Sequence, residues 1–250
     1  MQRYFLDSVV NKDRIGIVKE QYHHMIRVMR MKVGQCVYLV EPNRHAFLAE
    51  IIEIEDDVVW LTYIADDDRQ VELPVDVTIA CGLPKGDKLE FIAQKATELG
   101  VHSILPVETS WSVVKWEMKK QDKKIQRLQK IAQEAAEQSH RHYVPTIYPM
   151  MSFKQLINHL NDYTHVIVAY EESAKQSEMS QLKKIYTSLK PNDRLLAIFG
   201  SEGGLSPDEI TLLEKAGATL CGLGPRIMRA ETAPLYLLSS LSYALELGGN

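Results

Sequence analysis

The chain has 250 residues, enough for one large domain or two smaller ones with real cores. Apolar residues make up 45% and charged residues 25%, a balance that excludes a disordered, collagenous or membrane-embedded protein. Its 29 bases against 33 acids leave a formal charge of -4, which excludes the global basic excess of a histone-like binder of nucleic acid.

The opening residues, MQRYFLDSVVNKDR, lack a basic region followed by an apolar stretch, and no window holds about 18 uninterrupted apolar residues, so a cytoplasmic protein is expected. Between Tyr22 and Met31 the spacing of Met25, Val28 and Met29 predicts a short helix, with Arg27 and Arg30 on its other side. Cys36 to Glu41, Ala46 to Ile54 and Val58 to Ile64 read as strands, separated by the turn signals Pro42-Asn43 and Asp56-Asp57. A small β-barrel is expected. The acidic stretch Asp66-Asp67-Asp68-Arg69, followed by Pro74, reads as a linker because few of its residues could join a core.

Beyond it the rhythm changes to alternating strands and helices. Val75 to Leu83, Ser103 to Val107, His165 to Tyr170, Arg194 to Phe199 and Thr219 to Leu223 read as strands. Lys88 to Leu99, stopped by Gly100, Lys124 to Ser139 and Thr232 to Leu247 read as helices. A further helix opens with the capping box Ser206-Pro207-Asp208-Glu209 and ends at Gly217. This α/β alternation implies a mostly parallel sheet with helices on both faces.

Cys36, Cys81 and Cys221 are odd in number and far apart, which argues against a disulfide framework or a zinc knuckle. His140 and His142 lack a third ligand at suitable spacing, so no metal is expected.

Two loops fall where open α/β sheets bind ligands, after a strand and before a helix: Gly200 to Gly204 (GSEGG) and Gly222 to Thr232 (GLGPRIMRAET). Their glycines allow a ligand to approach bare backbone, although two simple turns would suit the same residues. Neither GxGxxG nor GxxxxGK[ST] occurs, and Glu202 would repel a pyrophosphate, so dinucleotides and triphosphates are disfavoured.

Taken together, GSEGGLS at Gly200 to Ser206 and LGPRIMRAET at Leu223 to Thr232 closely resemble the signature of the RsmE methyltransferases of the SPOUT superfamily. Supporting stretches are GLPKGDKLEFIAQKATELG from Gly82, IAQEAAEQSHRHYVP from Ile131, and Arg3-Tyr4-Phe5. The resemblance implies a PUA-like β-barrel RNA-binding domain at residues 1–70 and a SPOUT methyltransferase domain at 74–250. In that fold the C-terminal segment forms a trefoil knot, which chain-topology rules alone would not propose. It further implies S-adenosyl-L-methionine as cofactor, S-adenosyl-L-homocysteine as product, a homodimer, and methylation of N3 of a uridine near the 3′ end of 16S rRNA.

Carried onto this chain, the cofactor contacts would be Ala169, Tyr170, Phe199, Gly200, Ser201, Glu202, Gly203, Leu223, Gly224, Pro225, Ile227, Met228, Ala230 and Thr232. The chain departs from the family where proline usually precedes Glu202, here Ser201, and where threonine is frequent, here Ala230. A serine frees one N–H and relaxes φ, so a looser loop is expected.

Uracil N3 is protonated near neutral pH, and lowering its pKa by two to three units requires about 3 to 4 kcal/mol of preferential stabilisation of the anion. Arg229 is the candidate for that charge, with Glu231 or Glu202 orienting it or taking the proton. RNA contacts are expected from Arg3, Arg27, Arg30, Lys85, Lys88, Lys95, Arg141 and Arg226, each placed locally because the net charge is acidic. The run Lys119 to Lys130 reads as a solvated helix face. The broad apolar stripe of the last helix, with Tyr236 and Tyr243 seven apart, leaves room for a subunit interface. Two other readings share these loops: a SPOUT enzyme acting on tRNA or another rRNA site, and a catalytically silent RNA-binding module of ribosome assembly.

Overall fold

The computed structural model describes residues 1–170 and 180–248. They fall into two compact units, Met1–Val71 with Ala136–Tyr143, and Glu72–Ala135 with Val144–Asn250. The division between them falls at Val71/Glu72, beside the expected boundary, and Ala136–Tyr143 groups with the first unit.

The first unit is built on strands β1 (Arg3–Phe5), β2 (Ile15–Val18), β3 (Cys36–Val40), β4 (Ala46–Glu55) and β5 (Val58–Asp66), in the order β1-β3-β4-β5-β2. Only the β1/β3 pair is parallel. Register shifts at Leu48/Ala49 and Ile51/Glu53 are bulges that bend β4 and curl the sheet. The end strands β1 and β2 do not pair among the described residues, so the expected barrel is an open half-barrel.

Helix α1 (Lys19–His23) follows β2 and runs into a π-helical turn, His24–Val28. The Met29 amide donates to the His24 carbonyl at 2.9 Å, five residues back, which rotates the following side chains relative to a 3.6-residue helix. Tyr22 and Met25 therefore point into the core, whereas Val28 and Met29, expected inside, are 56% and 41% exposed. The remaining core comes from the inward alternation of the strands: Ile15 and Ile17, Val37 and Leu39, Val59 and Leu61.

The second unit holds seven parallel strands: β6 (Asp76–Gly82), β7 (Ser103–Glu108), β8 (Thr146–Ile147), β9 (Met151–Ser152), β10 (His165–Ala169), β11 (Arg194–Phe199) and β12 (Thr219–Cys221). Their order is β12-β10-β11-β6-β7-β8, with β9 also paired to β7. The helices are α2 (Lys88–Glu98), α3 (Met118–Gln138), α4 (Phe153–Asn158), α5 (Ser180–Ser188), α6 (Pro207–Lys215) and α7 (Thr232–Ser242). Helix α3 starts six residues before the expected Lys124, because its first turns are solvated lysines and glutamine that form helix well but show no apolar periodicity. The last helix gives way to a π-helical turn at Tyr243–Leu247.

Strand alternation divides the core between the two faces. Val77, Ile79 and Cys81 of β6 pack with Ile92 and Ala96 of α2, Leu128 and Ala132 of α3, and Leu237, Leu238 and Leu241 of α7. Ala80, Leu196 and Ile198 face the other way, onto Leu156 of α4 and Ile210 and Leu213 of α6. The capping box of α6 forms as expected: Ser206 Oγ accepts from the Glu209 amide at 3.3 Å and Glu209 Oε2 accepts from the Ser206 amide at 2.8 Å. The parallel arrangement brings the carboxyl ends of β6, β10, β11 and β12 to one edge, and both glycine loops leave from it.

Candidate active site

The first loop is shaped by backbone contact that no side chain could permit. A Cβ on Gly200 would lie 2.4 Å from the Gly204 carbonyl carbon, and one on Gly82, at the end of β6, would lie 2.4 Å from the Ser201 nitrogen. The turn is closed by the Gly204 amide donating to the Ser201 carbonyl at 2.9 Å. Ser201 does not loosen it. Its side chain is buried and Oγ donates to the Trp111 carbonyl at 3.1 Å, so the hydroxyl supplies a tether where proline would supply a fixed φ. The Trp111 segment is itself held by Glu209, whose Oε1 accepts from the Ser110 amide at 2.7 Å.

Charge gathers on one lysine. Lys88 Nζ, in the first turn of α2, lies 2.9 Å from Glu202 Oε1 and 3.3 Å from Glu231 Oε2. The Lys85 amide donates to the same Glu202 oxygen at 3.0 Å. Burial pushes the Glu202 carboxyl up, but the bonds from the Lys85 amide and the Lys88 ammonium outweigh it and hold the group below the usual carboxylate range. Lys88 is raised in turn, first by its hydrogen bond to Glu202. Glu231 Oε2 is buried and accepts no hydrogen bond, so its contact with Lys88 is electrostatic only. With the guanidinium of Arg229, the two carboxylates and the ammonium sum to zero, so the groups around Lys88 are balanced in charge. Arg229 is exposed and its guanidinium has no ion pair or hydrogen bond among the described residues.

Lys88, Glu202 and Arg229 line a cavity of about 470 Å³, within the range of small-molecule sites, and Glu231 stands behind Lys88 outside the lining. Of the expected cofactor contacts, Ala169, Phe199, Gly200, Ser201, Glu202, Gly203, Ile227, Met228 and Ala230 line it, together with Lys88, Gly204, Arg229 and Ala233. Tyr170, Leu223, Gly224, Pro225 and Thr232 do not. Tyr170 packs toward the α4/α6 face and Leu223 toward the α2/α7 face, while Gly224 holds a φ of +119° that lets the second loop turn. Lys88, expected as an RNA contact, lines this cavity and pairs with both carboxylates; its position as the first residue of α2, where the helix dipole disfavours a cation, is the sequence signal for such partners.

Two expected RNA contacts are buried in the first unit instead. Arg3 is 1% exposed and Arg141 is 3% exposed. Arg3 donates to Asp67 Oδ2 at 2.6 Å and to the Arg141 carbonyl at 3.0 Å. Asp67 also accepts a forked pair from Arg69 at 2.6 and 2.8 Å and lies 3.3 Å from His142 Nε2. The Tyr38 ring sits between the Arg3 and Arg69 guanidiniums, with His140 against its edge. The hydrogen bonds from Arg69, then those from Arg3 and His142, outweigh burial and hold Asp67 far below the usual range. Within the expected linker stretch, Asp67 is thus drawn into a buried ion pair with Arg3, while Asp66, Asp68 and Arg69 stay exposed. Arg27, Arg30, Lys85 and Arg226 are exposed, and Lys95 pairs with Glu98 at 2.7 Å. Among the described residues no group of three or more His, Cys, Asp or Glu could hold a metal ion.

Residues 71–242 match the RNA methyltransferase domain family and residues 18–62 match the RNA methyltransferase PUA domain family. The chain is 44% identical to ribosomal RNA small subunit methyltransferase E of Bacillus subtilis (strain 168) over 99% of this chain and 98% of that protein. Among solved structures, a crystal structure of a protein described only as hypothetical superposes with a TM-score of 0.92 at 41% identity, over 99% of this chain and 100% of the other. A Legionella pneumophila structure in complex with the bound cofactor SAM superposes with a TM-score of 0.80 at 26% identity, over 97% of each chain. With a half-barrel PUA-like unit, a parallel α/β methyltransferase unit and a full-length relative at that identity, the chain belongs to the ribosomal RNA small subunit methyltransferase E family.

Proposed function

We propose that the protein transfers the methyl group of S-adenosyl-L-methionine to N3 of a uridine near the 3′ end of 16S rRNA, releasing S-adenosyl-L-homocysteine. The observation that carries this reading is a glycine-lined cavity that brings the Lys88–Glu202 ion pair and the guanidinium of Arg229, which has no ion pair among the described residues, onto one wall. The residues fit the cofactor: a Cβ at Gly200 or Gly82 would collapse the cradle, and the glycine backbone lets a ligand approach the main chain closely. When bound, the cofactor supplies an electrophilic methyl group on a sulfonium.

The protein's part is to make N3 a nucleophile. Arg229 places a charge beside the developing uracil anion in a site bounded by low-dielectric walls, where such a charge counts for more than in water. Glu202, held ionised by Lys88 and the Lys85 amide, is a poor proton acceptor and serves to seat Lys88. Glu231, whose buried Oε2 lies 3.3 Å from the Lys88 ammonium and accepts no hydrogen bond, is the other candidate acceptor for the N3 proton. Exposed Arg27 and Arg30 of the first unit, with Lys85 and Arg226 of the second, are the cations proposed to meet phosphate.

The exposed apolar side chains at the C-terminal end, Tyr236, Tyr243 and Leu247 at 40%, 67% and 76%, support a homodimer through this face. The strand order, with β11 inserted between β6 and β10 and α7 returning over β6, supports the C-terminal knot. No helix among the described residues is long and apolar enough to cross a membrane, and a ribosomal substrate supports a cytoplasmic location.

The test is to incubate the protein with labelled S-adenosyl-L-methionine and small ribosomal subunits from a strain lacking this modification, then map the product by mass spectrometry. One N3-methyluridine near the 3′ end of 16S rRNA is expected. Label on tRNA or on another nucleotide would refute the assignment, and cofactor binding without transfer would point to a silent RNA-binding module.

A further inference from the structure

A second cavity lies in the methyltransferase unit, bordered by Pro84, Gly86 and Leu89 from the turn that leads into α2. It measures about 150 Å³, the size that admits a single benzene-like ring. Leu89 and Leu128, both buried, and Val114 form apolar walls, Pro84 and Gly86 contribute a rim of backbone, and Trp116 presents an aromatic surface. Lys124 Nζ sits 4.9 Å from the centre of the Trp116 ring. At the mouth, Arg127 donates to Glu90 Oε2 at 2.7 Å, so the one carboxylate there is neutralised and the pair offers both donors and an acceptor. Around it, Lys115, Lys119, Lys120, Lys123 and Lys124 are exposed, and Lys120 lies 3.1 Å from Glu117.

We propose that this cavity receives one unstacked base of the RNA, next to the nucleotide that is methylated. The inference rests on the rRNA-methylating function proposed above and adds a nucleotide subsite to it. A flat ring of pyrimidine size fits the volume, an aromatic face accepts any base by stacking, and the surrounding lysines match the phosphates of a single strand. The Glu90–Arg127 pair can meet the polar edge of the base without leaving a buried charge unpaired.

Position connects the two sites. Pro84, Gly86 and Leu89 border this cavity, while Lys85 and Lys88, from the same turn, hold Glu202 at the cofactor cavity. A base seated against Trp116 would fix the strand on one side of the turn as the target uridine enters on the other. The lysine run from Lys119, otherwise a solvated helix face, thereby acquires a ligand.

Methyl-transfer kinetics on unmodified small ribosomal subunits test this. Trp116→Ala should raise the KM for subunits about 10-fold or more, from the loss of one base stack, with kcat within about twofold and cofactor affinity unchanged. Trp116→Phe, which keeps a ring, should recover most of that loss. Lys124→Glu, at an exposed position that does not put folding at risk, should raise KM in the same direction. A KM within twofold of wild type for Lys124→Glu, or for a folded Trp116→Ala protein, would overturn the subsite while leaving the methyltransferase reading intact. Absence of transfer by the wild-type protein would overturn both.

Discussion

Gly200→Ala tests whether the cofactor loop depends on contact between its own backbone segments. An alanine Cβ there would sit 2.4 Å from the Gly204 carbonyl carbon and 2.6 Å from its oxygen, where ordinary contact begins at 3.4 Å, so one side of the turn must retreat by about 1 Å. The obstacle is backbone on both sides, and no rotamer change can relieve it. Overpacking of this kind costs about 1 to 3 kcal/mol, which for a chain of this size lowers Tm by about 2 to 12 °C. The larger effect is on the site: a displacement of about 1 Å in a positioning loop costs on the order of 100-fold. Isothermal titration with S-adenosyl-L-methionine should therefore show affinity about 100-fold weaker. Gly217→Ala is the control. Gly217, just beyond α6, has a φ of +90° and nothing within 4 Å of a would-be Cβ, so it should lose about 1 to 2 kcal/mol of stability with unchanged cofactor affinity. If Gly200→Ala bound the cofactor within threefold of wild type with the same Tm, the close approach would not govern the site.

Arg229→Ala should lower kcat for subunits at least 100-fold with cofactor affinity within about threefold, and equal turnover would remove Arg229 from the mechanism. Lys88→Met should leave Glu202 and Glu231 facing each other uncompensated, so the pH–rate profile should shift its acidic limb upward as one of them gains a proton; an unmoved limb would show that Lys88 does not control these carboxylates. In the first unit, Asp67→Asn leaves the buried Arg3 charge unpaired and should cost about 3 to 5 kcal/mol, read as a fall in Tm of about 6 to 20 °C, whereas a loss under about 1 kcal/mol would contradict a buried pair. Burial, then the charges of Arg3 and Arg69, lowers the pKa of His140, so below about pH 6.5 the unfolded chain takes up a proton that the folded chain refuses. Stability should accordingly decline as pH falls from about 6.5, and denaturant titrations of His140→Asn should show a flatter dependence in that window.

Much of the architecture was legible in the order of residues because its signals are local. The apolar runs at Val75 to Leu83 and Arg194 to Phe199 could only be buried strands, and Ser206-Pro207-Asp208-Glu209 could hardly be other than a helix start. The two glycine loops stood out for the same reason, since a cluster of residues without side chains marks close backbone approach wherever it occurs. What the first unit does with Tyr22 to Met31 was not legible in detail, because a π turn changes the period within the helix and leaves no mark in composition.

By itself, then, the sequence determined two units, a parallel α/β sheet and the glycine edge where a small ligand binds, through patterning over neighbouring residues. Tertiary structure alone decided the fate of the charges. A lysine, arginine or aspartate reads as solvated until its partners are known, and those partners lie far along the chain: Arg3 meets Asp67 and the Arg141 carbonyl, and Lys88 meets Glu202 and Glu231. Burial of a charge is repaid only by an opposite charge or a dipole in contact, and that contact exists only once the chain has folded. For that reason only the folded chain shows Asp67 buried against Arg3 within the otherwise exposed stretch Asp66 to Arg69, and Lys88 placed between the carboxylates of Glu202 and Glu231.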